Sequence, residues 1–193
     1  MAETPSSRML HLGAAAPDFT LPDAAGKPVS LAQARGPGGL VVAFVCNHCP
    51  FVVHLAAGIG RLAGEMTGRG MGFVAINSND TARYTADAPE KMPAFAAASG
   101  WNFPYLVDAD QSVAHAYFAA CTPDFYVFDQ NLRLTYCGQF DRSRPGNGQP
   151  VNGEDLRRAI EAVLAGEPPP PHQFPSTGCN IKWKPGNEPA YFG

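Results

Sequence analysis

Leu40-Val41-Val42-Ala43-Phe44-Val45-Cys46-Asn47-His48-Cys49-Pro50-Phe51-Val52 is the stretch on which the fold turns. Its first six residues are an unbroken, β-prone apolar run, the pattern of a strand buried on both faces in a mainly parallel sheet. After the cysteines, Phe51, Leu55, Ile59 and Leu62 recur at helical spacing until Gly68 and Gly70 interrupt them. This predicts a helix that begins at Cys46, with Pro50 tolerated in its first turn, where few backbone hydrogen bonds are lost. Two cysteines so spaced at a helix start can close a small disulfide loop, and the free N–H groups and dipole of that terminus favour a thiolate. Cys46, with the more exposed sulfur, is the expected nucleophile and Cys49 the resolving thiol. Asn47 and His48 between them tune the couple: an imidazole that is protonated or donates a hydrogen bond favours the reduced form. The alternative for His48 is a solvent-exposed loop residue.

Working outward, Gly72 to Asn77 reads as a second apolar strand. It is followed by a polar stretch from Ser78 to Glu90 and an alanine-rich helix ending near Gly100. Tyr105 to Val107 is a short strand, and Asp110 can cap a helix running to about Phe118. Asp124 to Phe128 and Leu132 to Tyr136 form a hairpin around Asp129-Gln130-Asn131. A last helix spans about Glu154 to Leu164, with Asn152 before it and Gly166 after it. Alternating strands and helices that close with a hairpin and a helix define an α/β architecture. From Gly166 the sequence is rich in Pro and Gly and fits neither period, so it is expected to run as an arm over the domain. Its residues Glu167 to Gly178 could span on the order of 35 Å when extended. Ile181 and Trp183 alternate with Lys182 and Lys184, which predicts an edge strand or pinned segment that docks by one apolar face.

The composition narrows the function. The chain has 193 residues, 45% hydrophobic and 16% charged, with a net charge of −3, which suits one packed domain and shows no basic footprint for nucleic acid. The first twenty residues carry no long apolar core, and the longest apolar run is too short to cross a bilayer, so a cytoplasmic location without membrane attachment is expected. Five cysteines at ordinary density argue for reduced thiols with one pair used in chemistry. Asn79-Asp80-Thr81 matches a glycosylation sequon by chance alone. A structural zinc site would require a second Cys or His pair at comparable spacing, whereas Cys121, Cys137 and Cys179 stand alone. A c-type haem would need His where Pro50 stands. No metal and no cofactor are expected. The binding alternative is a soft metal such as Cu(I) held between the two thiolates with help from His48 or His54.

On these residues the chain resembles the peroxiredoxin-like, CxxC-containing branch of the thioredoxin superfamily, the redoxins related to alkyl hydroperoxide reductase and thiol-specific antioxidant. Gly13-Ala14-Ala15-Ala16-Pro17-Asp18-Phe19-Thr20-Leu21-Pro22 is similar to the opening strand of that superfamily's peroxiredoxins. Phe44 to Val52 resembles the branch's redox motif, Thr122-Pro123-Asp124-Phe125 its cis-proline loop, and Gly178-Cys179-Asn180-Ile181-Lys182-Trp183-Lys184 its C-terminal signature. The resemblance implies a thioredoxin-like domain over residues 1–165, with a central mixed β-sheet flanked by helices and an N-terminal extension. Residues 166–193 form the arm packed on it. It implies a cis Pro123, with the Thr122 backbone opposite the dithiol and open to a substrate peptide by strand addition; from His48, as above, a couple more oxidising than thioredoxin's is expected. The implied activity is thiol-disulfide exchange by Cys46 and Cys49, with thiol peroxidase activity as an alternative. Peroxiredoxins place Thr or Ser three residues and Pro seven residues before the peroxidatic cysteine. Counted back from Cys49 those positions hold Cys46 and Val42, and from Cys46 they hold Ala43 and Gly39, so that constellation is absent. Cys121 and Cys179 are candidate third thiols or packing residues, and Cys137 is expected in the core. The run Asn77-Ser78-Asn79-Asp80 reads as turn chemistry or a binding loop. Expected partners are a protein disulfide or a small thiol or peroxide, an unidentified electron donor and, as an open alternative, a second copy of the chain in a homodimer.

Overall fold

Strand β1 (Thr4–Pro5), strands β2 (Thr20–Pro22) and β3 (Pro28–Ser30) and the short helix α1 (Leu31–Ala34) precede the redox motif in the computed structural model, which describes residues 3–191. The outermost ends of the expected domain and arm, residues 1–2 and 192–193, lie outside the described residues. Next come β4 (Gly39–Phe44), α2 (Pro50–Thr67), β5 (Met71–Asn77), α3 (Met92–Ala98), β6 (Tyr105–Val107) and α4 (Ser112–Ala116). The chain continues through β7 (Cys121–Thr122), β8 (Asp124–Phe128), β9 (Leu134–Gly138), α5 (Glu154–Ala165) and β10 (Thr177–Asn180).

The central sheet has the order β6-β5-β4-β8-β9. The β4–β5 and β5–β6 pairs are parallel and the β4–β8 and β8–β9 pairs antiparallel, so the sheet is mixed as expected. Every residue of β4 is buried. Val41, Ala43 and Val45 pack with Leu55, Ile59 and Leu62 of α2 and Leu156 and Ile160 of α5. Leu40, Val42 and Phe44 face Tyr117, Tyr126 and Leu31 on the other side. The two-sided burial that the apolar run predicts is therefore supplied by helices on both faces. No helix among the described residues is long and apolar enough to cross a membrane.

Four expectations about element ends are corrected. The helix after β4 starts at Pro50, not at Cys46: Cys49 is its cap, with φ −65° and ψ 123°. The cause is steric, because the ring of Pro50 disfavours the α region for the residue before it. The hairpin's second strand starts at Leu134, not Leu132, because the Asp129 carboxylate accepts the N–H groups of Asn131 and Arg133 and prolongs the turn. Asp110 does accept the N–H of Ser112 at the start of α4, but it shares that end with Asp108, whose carboxylate accepts the N–H groups of Val113 and Ala114, and the helix ends at Ala116 rather than about Phe118. In the arm the strand is Thr177–Asn180, one step ahead of the alternating Ile181 and Trp183, which are nevertheless buried.

That strand has consequences for both termini. β10 lies between β1 and β7 and pairs antiparallel with each, so the arm and the N-terminal segment are knitted to the domain beside the cis-proline loop. Beneath them Asp124 is fully buried; its Oδ2 accepts the hydroxyls of Ser6 (2.9 Å) and Tyr126 (3.0 Å), while its Oδ1 has no partner among the described residues. Burial, only partly offset by these hydrogen bonds, pushes the Asp124 carboxyl up from 3.8 to about 7. The native chain therefore holds a proton that the unfolded chain has already released, and this group's contribution to stability falls as pH rises from about 4 through about 7. The urea midpoint of the wild type relative to Asp124→Asn should decline across that window; a constant difference would show that the carboxyl is not held neutral.

Candidate active site

Cys46 and Cys49 follow the C-terminal end of β4, where the sheet delivers the chain to the N-terminus of α2. Cys46 is 1% exposed and Cys49 fully buried, so neither sulfur is the solvent-facing one that the sequence suggests for Cys46. Across from them stands the loop of Thr122 and Pro123, joined by a cis peptide bond as the resemblance implies. Cys49 Sγ lies 3.1 Å from the Thr122 carbonyl oxygen, to which its thiol form donates, and Cys46 Sγ lies 3.6 Å from Thr122 Oγ1.

The turn between the cysteines is held by a residue that sequence reasoning missed. Asp87, fully buried, accepts the backbone N–H of Asn47 (2.8 Å) and of His48 (3.1 Å) on Oδ1. Its Oδ2 accepts the Asn79 amide (2.8 Å) and contacts His48 Nδ1 (2.6 Å). A carboxylate is acceptor only, so His48 presents Nδ1–H to Asp87, and Cys46 Sγ, 3.9 Å from the same nitrogen, is the minor contact. His48 keeps a half-buried ring stacked on Tyr84, with centroids 5.8 Å apart, and is neither a free loop residue nor chiefly a thiolate partner. Asn47 is fixed by its amide to the Ala86 carbonyl and by the Tyr105 hydroxyl. Ligand atoms of Cys46, His48 and Asp87 lie within 4.8 Å of one another, but the carboxylate oxygens are already committed to four donors. His54 Nε2 contacts Ser143 Oγ at 2.7 Å, a neighbour outside this set.

The surroundings push the two thiols in opposite directions. A hydrogen bond to Cys49, burial and the negative Asp87 all push Cys46 well above the ordinary thiol range. The hydrogen bond from Cys46 brings Cys49 down to about 5 against its burial, helped by the Cys179 thiol and by the backbone of Val52 and Cys179. Ionisation is thus favoured at Cys49, which caps α2, over Cys46. The cause is again the helix start: moving it to Pro50 moves the favourable backbone N–H groups from the first cysteine to the second.

The remaining candidates divide by the pleat of β7. Thr122 turns its side chain to the dithiol, and Cys179, opposite it in the β7–β10 register, shares that side. Cys121 alternates to the other face, where its sulfur lies 3.8 Å from the Pro123 carbonyl and burial raises its pKa. Cys137 packs in the opposite core layer, near Ser6. The Thr122 edge that the sequence offers to a substrate peptide is already taken by β10. The run after β5 is both turn and tether: Asn79 N–H bonds Asn77 Oδ1, while Asn79 Oδ1 accepts the N–H of Lys182 in the arm.

With this geometry the comparisons with known proteins agree. A conserved protein of Geobacillus kaustophilus of known structure is 49% identical, superposes with a TM-score of 0.92 and is matched over 96% of this chain and 98% of its own. A protein of Mycobacterium tuberculosis H37Rv bearing the name "Putative peroxiredoxin" is 36% identical over 107 residues, 55% of this chain; the match spans 63% of that relative's length. At 20% identity, a secreted disulfide oxidoreductase of Mycobacterium tuberculosis homologous to DsbE shares the thioredoxin-like fold, with a TM-score of 0.57 over 75% of this chain and 95% of its own. The AhpC/TSA family matches residues 12–137, from before β2 into β9, and with the dithiol and the cis-proline loop inside that span the chain belongs to the AhpC/TSA family.

Proposed function

We propose that the protein is a thiol-disulfide oxidoreductase whose couple is Cys46 and Cys49. The observation that carries this reading is the pair itself: two cysteines at the start of α2, both set against Thr122 of the cis-proline loop. Cys46, the sulfur on the side of half-buried His48, attacks a substrate disulfide while the Cys49 thiolate accepts its proton. One substrate sulfur leaves as thiolate, and a mixed disulfide to Cys46 remains. That leaving thiolate takes the proton from Cys49, and Cys49 then attacks Cys46 Sγ, forming the Cys46–Cys49 disulfide and expelling the second substrate thiolate. The substrate gains two electrons and the dithiol loses them. An electron donor of the dithiol or disulfide-reductase class must then restore the reduced pair.

Membership of the AhpC/TSA family supports a second reading, thiol peroxidase activity by the same dithiol, in which peroxide converts one sulfur to a sulfenic acid and the other displaces water. Peroxide-dependent turnover at catalytic rates selects it; disulfide reduction without peroxide turnover selects the first. The substrate in either case is a protein disulfide, a small disulfide or a peroxide.

Cys46→Ser should reduce turnover of a small aromatic disulfide to background, while Cys49→Ser should accumulate a mixed disulfide on Cys46, seen as an added mass that reductant removes. Retained turnover in Cys46→Ser would overturn the assignment. The thiolate absorbance of the reduced protein should appear with a midpoint near pH 5, because the Cys49 pKa is lowered to about 5, and should fade as pH falls through that value; a single step in the ordinary thiol range would contradict the opposed shifts of the two thiols. Asp87→Asn keeps the shape but removes the charge. It should cost on the order of 1–3 kcal/mol in urea unfolding, because an amide cannot satisfy all four donors, and it should lower the pKa of Cys46.

A further inference from the structure

We propose, resting on the oxidoreductase reading above, that Cys179 is a third redox thiol, brought to Cys49 by the docked C-terminal arm so that the disulfide can pass from Cys46–Cys49 to Cys49–Cys179.

Three placements carry this. The β7–β10 register sets Cys179 opposite Thr122, the residue whose carbonyl accepts the Cys49 thiol and whose hydroxyl lies beside Cys46. Cys46, Cys49 and Cys179 accordingly fall in one core layer, while Cys137 lies in the other. The approach of the arm is built into its sequence, since a Cβ on Gly178 would stand 2.0 Å from the Thr122 carbonyl oxygen. Only glycine lets the β10 backbone reach that depth. Packing alone would be met by a small apolar residue at position 179; a cysteine there adds a third thiol to the layer that holds Cys46 and Cys49.

The arm also stands where an extended substrate would pair. Strand addition at a cis-proline edge is how a peptide could present its sulfur to a dithiol, and β10 occupies that edge with a cysteine of its own at the position opposite Thr122. The arm therefore acts as a tethered substrate strand. The position is secured from the far side as well: Lys182 N–H bonds Asn79 Oδ1, and Asn79 in turn donates to Asp87, the residue that holds the Asn47-His48 turn.

The step is an isomerisation and needs no outside oxidant. Cys179 Sγ attacks Cys49 Sγ; the Cys46–Cys49 bond breaks as the Cys49–Cys179 bond forms, and the proton of Cys179 moves to the departing Cys46 sulfur. No electrons are gained or lost overall. Cys46 is thereby freed, beside His48 and Thr122 Oγ1, while the chain retains its oxidising equivalent. Burial, together with the neighbouring Cys49 thiol and its charge, pushes Cys179 up to about 12, and a disulfide at Cys49 removes the part that Cys49 contributes.

The test is disulfide mapping of the full-length protein oxidised with diamide, quenched in acid, and alkylated after denaturation. The wild type should give both Cys46–Cys49 and Cys49–Cys179 peptides, and Cys46→Ser should give Cys49–Cys179 with loss of alkylation at both sites. Gly178→Ala, which displaces β10 but leaves every cysteine in place, should lose the Cys49–Cys179 crosslink and keep Cys46–Cys49. A Cys46–Cys49 disulfide in the wild type with Cys179 fully alkylated there and in Cys46→Ser overturns the relay and leaves the oxidoreductase reading standing. Absence of any Cys46–Cys49 disulfide overturns that reading itself, and an undiminished Cys49–Cys179 crosslink in Gly178→Ala overturns the role given to the arm.

Discussion

A single buried carboxylate holds the site together. Asp87 takes the two N–H groups of the turn between the cysteines, orients the His48 ring, and through Asn79 reaches the C-terminal arm. A charge with no exposure is tolerated only when its acceptors are filled, and here four donors fill them. The cost of burial therefore becomes a geometric constraint: none of these donors can leave without stranding the others. The redox turn, the loop after β5 and the arm are fastened to one point although they lie far apart in the chain.

The same carboxylate sets the electrostatics of the dithiol. Its negative charge opposes ionisation of Cys46, while the start of α2 and the neighbouring thiols favour ionisation of Cys49. Two thiolates side by side near a buried carboxylate would add a further like-charge cost, so the pair keeps one proton. A dithiol in that state carries both its nucleophile and its base, which is what exchange requires. The peroxiredoxin arrangement instead surrounds one sulfur with donors, and the positions that would supply them here hold Cys46 and Val42, or Ala43 and Gly39.

The legible parts of the sequence are those with local causes. Leu40 to Val45 announces a two-faced strand because six apolar residues admit few alternatives, and the helix after it follows from its period. Pro50 also carried the true helix start, since its ring restricts Cys49; reading the cysteines as the helix start overrode that steric signal. Asp87 was not legible. It lies in an aperiodic polar stretch, and its role comes from a turn forty residues earlier, so no local pattern marks it. The arm falls between these cases: its docking could be inferred from Ile181 and Trp183, both buried, but the pairing that puts Cys179 against Thr122 depends on a register set by distant residues.

These facts also relocate the tuning of the couple. The sequence assigned it to His48, yet His48 Nδ1 is spent on Asp87, and the stabilisation of the thiolate comes from Cys46, Cys179 and the start of α2. A thiol lowered from 9.0 to about 5 is ionised at neutral pH, which favours the reduced state there by on the order of 2–3 kcal/mol over an ordinary thiol. For a two-electron couple that corresponds to roughly 40–60 mV in the oxidising direction. Asp87 pulls the other way only for Cys46, which stays protonated at that pH and so contributes little. The tuning expected of the histidine thus shifts to the Cys46 thiol, with the Cys179 thiol and the start of α2 assisting, while His48 fixes the turn between the cysteines.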